Sequence, residues 1–188
     1  MMPGAPSAAL PPNLPVPVDD GACDHLPGMR LPSVALPSTA GHSVDLAAVQ
    51  GTMIVYVYPH MGRPNTPTPK EWDRIPGARG CTPEACAFRD HHADLRALGA
   101  QVYGVSTDAP ESQREAIERL HLPFELLSDA DRAWSNRLRL PTFEFRGQEF
   151  LSRLTLVVGD GLVKKVFYPV FPPDRHPEAV IAFLRSKR

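Results

Sequence analysis

Apolar residues in this chain follow two patterns: unbroken β-prone runs, and positions recurring every three or four residues. Met53-Ile54-Val55-Tyr56-Val57-Tyr58 has no polar alternation, which predicts a strand buried on both faces and hence central in a sheet. Val102 to Val105 and Phe124 to Leu127 predict two further strands. Between them Ala85, Phe88, Leu95 and Leu98 fall at helical spacing, with Thr82 as N-cap, Pro83 at the first helical position and Gly99 as terminator. Asp108-Ala109-Pro110-Glu111 opens a second helix carrying Ile117 and Leu120, and a shorter one is expected around Arg132 to Leu138. Leu154 to Val158 and Leu162 to Phe167, joined by Gly159-Asp160-Gly161, predict a hairpin, and Pro177 to Arg185 a terminal amphipathic helix. Two short apolar stretches between Ser33 and Leu46 flank Ser38-Thr39-Ala40-Gly41 and predict a small N-terminal hairpin. The alternation implies an α/β fold, a mixed central sheet flanked by helices.

Composition sharpens the boundaries. The chain holds 22 prolines in 188 residues, more than twice the ordinary ~5 %. They concentrate in the stretch that ends at Pro37 and again from Pro59 to Pro76, so irregular backbone is expected in both places. Residues 1–25 read as a flexible or surface-draped leader outside the core, and residues 26–188 as one domain. The segment from His60 to Arg79 reads as a loop, pinned by Trp72 and Ile75 as a lid or as plain surface. Twenty Lys and Arg against 21 Asp and Glu leave a formal charge of −1, which offers no footprint for nucleic acid or an anionic membrane. No apolar run approaches the ~20 residues of a membrane span, and no export signal is evident, so a cytoplasmic protein is expected. Three cysteines suit reactive thiols better than a disulfide framework.

The chemistry gathers in Gly80-Cys81-Thr82-Pro83-Glu84-Ala85-Cys86-Ala87-Phe88-Arg89-Asp90. Cys81 at a helix start meets unpaired amides and the positive end of the macrodipole, which favour a thiolate and mark it as the nucleophile. Lowering a thiol pKa from ~8.5 to about 6 raises its thiolate fraction at neutral pH only about 30-fold. Further acceleration requires donors for charge developing on a departing oxygen, and Arg153 at the mouth of a strand is the candidate. Residues five apart on an intact helix have Cα atoms roughly 8.5 Å apart, beyond the ~7 Å limit of a disulfide. Bonding between Cys81 and Cys86 would therefore require the first turn to unwind.

The string from Gly80 to Asp90, following a buried strand that ends in Tyr58-Pro59, resembles the active-site region of the peroxiredoxins, specifically the bacterioferritin-comigratory-protein or peroxiredoxin Q branch. The likeness continues through Val102 to Asp108, Leu127-Ser128-Asp129 and Ser152-Arg153-Leu154-Thr155, and leaves only the leader outside. It implies a thioredoxin-like fold and reduction of hydrogen peroxide or alkyl hydroperoxides, with no metal or organic cofactor. In that likeness Cys81 is peroxidatic and Cys86 resolving. Their intramolecular disulfide is reduced by a thioredoxin-like protein, and the enzyme is a monomer or weak homodimer. Arg153 corresponds to the arginine that contacts thiolate and peroxide, and Pro59 to the active-site proline. The branch pattern, Pro, three residues, Thr or Ser, two residues, Cys, would place Pro at 74 and a hydroxyl at 78; this chain has Arg74 and Ala78. The segment 60–79 thus behaves as an insertion, and Thr66, Thr68 and Thr82 are the hydroxyls available to position a peroxide.

Rival readings attach to several residues. Cys81, Cys86, His91 and His92 do not converge as zinc ligands do when spaced along one helix. Glu84 and Arg89 read as exposed helical charges, Cys23 as an exposed thiol, and Phe167, Tyr168 and Phe171 as core. On the same fold, the missing hydroxyl at position 78 favours a dithiol–disulfide oxidoreductase or redox sensor as the alternative to a peroxidase.

Overall fold

The computed structural model describes residues 9–188. Five strands make up its central sheet: β3 (Thr52–Val57), β4 (Ala100–Ser106), β5 (Glu125–Ser128), β8 (Leu154–Gly159) and β9 (Leu162–Phe167). They lie in the order β5-β4-β3-β8-β9. β3 runs parallel to β4 and β4 to β5, whereas β8 pairs antiparallel with both β3 and β9. The mixed sheet expected from the sequence is therefore present, and the unpatterned run at 53–58 supplies its middle strand.

Full burial on both faces follows from the period of two along a strand. Ile54, Tyr56 and Tyr58 face one apolar cluster, and Met53, Val55 and Val57 the other. The first cluster is completed by α2 (Cys81–Asp90), α3 (His92–Ala97), α4 (Pro110–Leu120) and α6 (His176–Ser186). The second is completed by α5 (Ala133–Leu138), through Trp134 and Leu138, and by the hairpin of β1 (Ala35–Pro37) and β2 (Ser43–Asp45).

Several expectations are corrected. Exclusion of the leader from the core fails at Cys23, 5 % exposed, which packs in the second cluster beside the fully buried Leu26. Nearby, the Tyr168 hydroxyl donates to Asp20 at 2.9 Å. One long helix ending at Gly99 is in fact two, because His91 leaves helical geometry at φ −99, ψ 6. A hairpin missed by the sequence reading joins β6 (Thr142–Phe145) to β7 (Gln148–Leu151) through Arg146 and Gly147, both at positive φ. Arginine in the first of these places is not the Asn or Asp that announces such a turn. Phe171 is 40 % exposed rather than core.

That hairpin anchors the inserted segment. Within it α1 (Lys70–Asp73) carries Trp72, whose ring lies 5.5, 5.1 and 5.0 Å from those of Phe143, Phe145 and Phe150. The satellite aromatic cluster, which includes Ala78, holds the end of the segment in place just before α2 begins.

Candidate active site

Helix α2 starts at Cys81, one residue before the expected cap, because Gly80 supplies the turn. Its φ of 119 suits glycine, and a Cβ there would press into Pro173 Cγ well inside contact distance. Thr82 and Pro83 consequently sit inside the first turn, where a missing proline N–H breaks no helical bond. The amides of Cys81 and Thr82 are left without intrahelical partners at the sulfur's end of the helix.

Arg153 comes to this helix from 72 residues away. It lies between β7 and β8, 3 % exposed, and its Nη2 donates to Cys81 Sγ at 3.2 Å. The guanidinium is fixed by the carbonyls of Gly77 and Ala78, at 3.2 and 3.1 Å. Its Nη1 stands 3.2 Å from Oε2 of Glu84, a carboxylate with no solvent exposure. Glu84 was expected to be an exposed charge. It is buried because position i+3 from Cys81 lies on the same helix face, turned toward the sheet end that carries Arg153.

One cation thus faces two acids. Burial raises the Cys81 thiol, which is 4 % exposed, above its ordinary value; Arg153 and then the His60 backbone amide oppose the rise without cancelling it, and Glu84 adds to it. Desolvation thus opposes the acidification expected at a helix start, and the guanidinium is the main counterweight. Burial likewise raises Glu84 to about 7, against the pull of Arg153. For Arg153 burial works against the charge, but Cys81 and Glu84 together raise its pKa, so it stays protonated. One guanidinium thus serves both acids, and the Glu84 carboxylate adds to the upward push on the Cys81 thiol.

The sulfur opens on a cavity of about 460 Å³. Trp72, Phe145 and Phe150 form an aromatic wall, while Arg63, Arg119 and His60 are among its polar lining. Thr82, Thr66 and Thr68 all reach the cavity, and the Thr82 hydroxyl donates to Met61 Sδ at 3.3 Å. Pro59 is buried and lies off the cavity wall, two residues beyond the end of β3, where it turns the chain into His60. Cys86 is 3 % exposed and faces the apolar cluster under the helix, so it does not share the cavity with Cys81. Both thiols are free and lie on one continuous helix.

The sequence reading also missed His60. Its Nδ1 lies 2.5 Å from Asp108 Oδ1, and Asp108 Oδ2 accepts the Met61 N–H at 2.9 Å. The pairing joins segments following β3 and β4, whose C-terminal ends adjoin because the strands are parallel. Only the strand order announces it, since the partners are 48 residues apart.

The AhpC/TSA family matches residues 75–166. Peroxiredoxin Q of Sedum lineare chloroplasts is 31 % identical over 161 residues, which cover 85 % of this chain and 77 % of that protein. Peroxiredoxin Bcp of Escherichia coli K12 is 29 % identical over 164 residues, 82 % of this chain and 92 % of its own length. Among solved structures, the peroxidoxin BcpB of Mycobacterium tuberculosis superposes with a TM-score of 0.71 at 27 % identity, covering 87 % of this chain and 99 % of that one.

Proposed function

We propose, for a chain that belongs to the peroxiredoxin Q branch of the AhpC/TSA family and is a thiol peroxidase, that Cys81 attacks the peroxide and Cys86 resolves the product. In the first step the Cys81 thiolate displaces the O–O bond. Its sulfur takes the terminal oxygen as a sulfenic acid, and water or an alcohol leaves. Arg153 stabilises both the thiolate and charge spreading onto the peroxide oxygens. Thr82 contributes the hydroxyl that Ala78 lacks, and Pro59 sets the course of the chain that carries the His60 amide to the sulfur.

In the second step the Cys86 thiol condenses with the sulfenic acid, water leaves, and a disulfide closes within the chain. Unwinding at the start of α2 brings the sulfurs together, since Cys81 is its first residue and only one turn has to open. A thioredoxin-like dithiol protein then restores both thiols. The cycle runs in a monomer or weak dimer in the cytoplasm. Among the described residues no helix is long and apolar enough to cross a membrane.

The observation that carries the assignment is the 3.2 Å contact between the Arg153 guanidinium and the Cys81 sulfur. Mass spectrometry of reduced protein after one equivalent of hydrogen peroxide tests it. The expected product is a loss of two hydrogens confined to a Cys81–Cys86 crosslink, absent from Cys81→Ser; in Cys86→Ser a trappable sulfenic acid on Cys81 accumulates instead. Peroxide consumption that persists in Cys81→Ser overturns the assignment.

A further inference from the structure

We propose that His60, oriented by Asp108, delivers the proton to the oxygen that leaves when Cys81 attacks the peroxide. The proposal rests on Cys81 being the attacking thiolate and adds a catalytic residue to that step.

His60 lines the cavity onto which Cys81 opens, so its side chain borders the space that a peroxide approaching the sulfur would occupy. Its Nδ1 is engaged by Asp108 at 2.5 Å, which leaves Nε2 as the nitrogen free to donate. Asp108 is 7 % exposed and is itself fixed, by the Met61 amide through one oxygen and by its own N–H to Ser106 Oγ at 3.1 Å. The ring is steadied edge-on by Trp72 at 6.4 Å and tilted against Phe150 at 5.9 Å, both parts of the aromatic cluster that the inserted segment builds.

The reaction balances with these groups alone. The sulfur lone pair forms the S–O bond as the O–O bond breaks, and the thiolate is oxidised by two electrons to the sulfenic acid. The departing alkoxide or hydroxide, which retains the bonding pair, takes the proton from imidazolium Nε2 and leaves as alcohol or water. Neutral His60 then regains a proton from solvent, to which 40 % of its side chain is open. The charged groups facing it are Asp108 and Arg63, with Cys81, Arg79, Arg119 and Arg146 across the cavity. Asp108 raises the imidazole pKa by its hydrogen bond, against burial and Arg63, which keeps more of the acid form available near neutrality.

The test is a single-turnover oxidation of reduced protein with hydroperoxides whose leaving groups range from a strongly basic alkoxide to a carboxylate. Wild type and His60→Gln are compared. General acid catalysis is worth roughly 10²- to 10⁴-fold, so His60→Gln should slow hydrogen peroxide and alkyl hydroperoxide by at least about 100-fold. A peracid, whose leaving group needs no proton, should be slowed by no more than about 3-fold, because Brønsted behaviour ties the benefit to leaving-group basicity. An equal loss across the series, or none, overturns the proposal. In the wild type the hydrogen peroxide rate divided by the Cys81 thiolate fraction, read from ultraviolet absorbance, should also fall on the alkaline side as His60 loses its proton. A flat alkaline limb overturns the proposal too, and this reading does not depend on the variant folding. Failure of the Cys81 assignment is distinguishable, since Cys81→Ser would then retain oxidation by every substrate.

Discussion

Replacing Glu84 by Gln should make Cys81 a stronger acid and the protein more stable at neutral pH. The carboxylate and the sulfur each lie 3.2 Å from nitrogens of one guanidinium. Two anions held about 7 Å apart at an effective dielectric near 20 repel by about 2 kcal/mol, which is about 1.5 pKa units. Glu84→Gln keeps the shape and removes the charge, so the Cys81 thiolate should appear at a pH lower by roughly 1 to 2 units. The stability effect follows from linkage. Glu84 sits at about 7 in the folded protein against 4.5 when free, so the folded state holds its proton while the unfolded chain gives it up. Stability is therefore full below about 4.5, falls as pH rises toward about 7, and stays reduced above; the drop is about 3 kcal/mol. The glutamine variant should lose this slope. Thiolate ultraviolet absorbance, followed against pH in a Cys23→Ser, Cys86→Ser background, reads the first effect, and urea denaturation at several pH values reads the second. A Cys81 titration that stays put or moves upward in Glu84→Gln would refute the idea that the two acids compete for Arg153.

Arg153→Lys should lower the single-turnover rate with hydrogen peroxide by roughly 10²- to 10³-fold, because an ammonium cannot reach the sulfur, the two carbonyls and Glu84 in one plane; stopped-flow fluorescence checks this. Gly80→Ala should destabilise by about 1–3 kcal/mol in urea unfolding, since the new methyl collides with Pro173 from a backbone at φ 119. Cys23, pushed up to about 12 by burial and then by Asp20, Asp19 and Asp24, should resist alkylation in the native protein and react only on unfolding; peptide mapping after iodoacetamide at neutral pH reads this directly. Truncating Trp134, fully buried against the second face of the sheet, to Ala should cost about 3–5 kcal/mol by the same unfolding assay.

Most secondary elements and the cysteine pair at the helix start were readable from the chain alone, the β6–β7 hairpin and the break at His91 being the exceptions. An unbroken apolar run can be satisfied only between two covered faces, so the central strand at 53–58 was legible, as was the helix that presents Cys81, whereas Arg153 was reached through the family resemblance and not through any local chemistry. A local signal exists for the strand and the helix, because period, cap and turn chemistry act within a few residues. What surrounds the sulfur had no such signal. Whether Glu84 is a solvated charge or the second acid on a buried guanidinium depends on which helix face meets the end of β8. His60 meets Asp108 only because β3 and β4 lie side by side in parallel. Cys23 is closed off because it packs with Leu26 in the cluster on the sheet's second face, which the proline content around it did not reveal. These points waited on the folded molecule because burial and Coulomb interaction depend on distance in space, and packing around a mixed sheet sets against each other a sulfur and a guanidinium that the chain holds 72 residues apart.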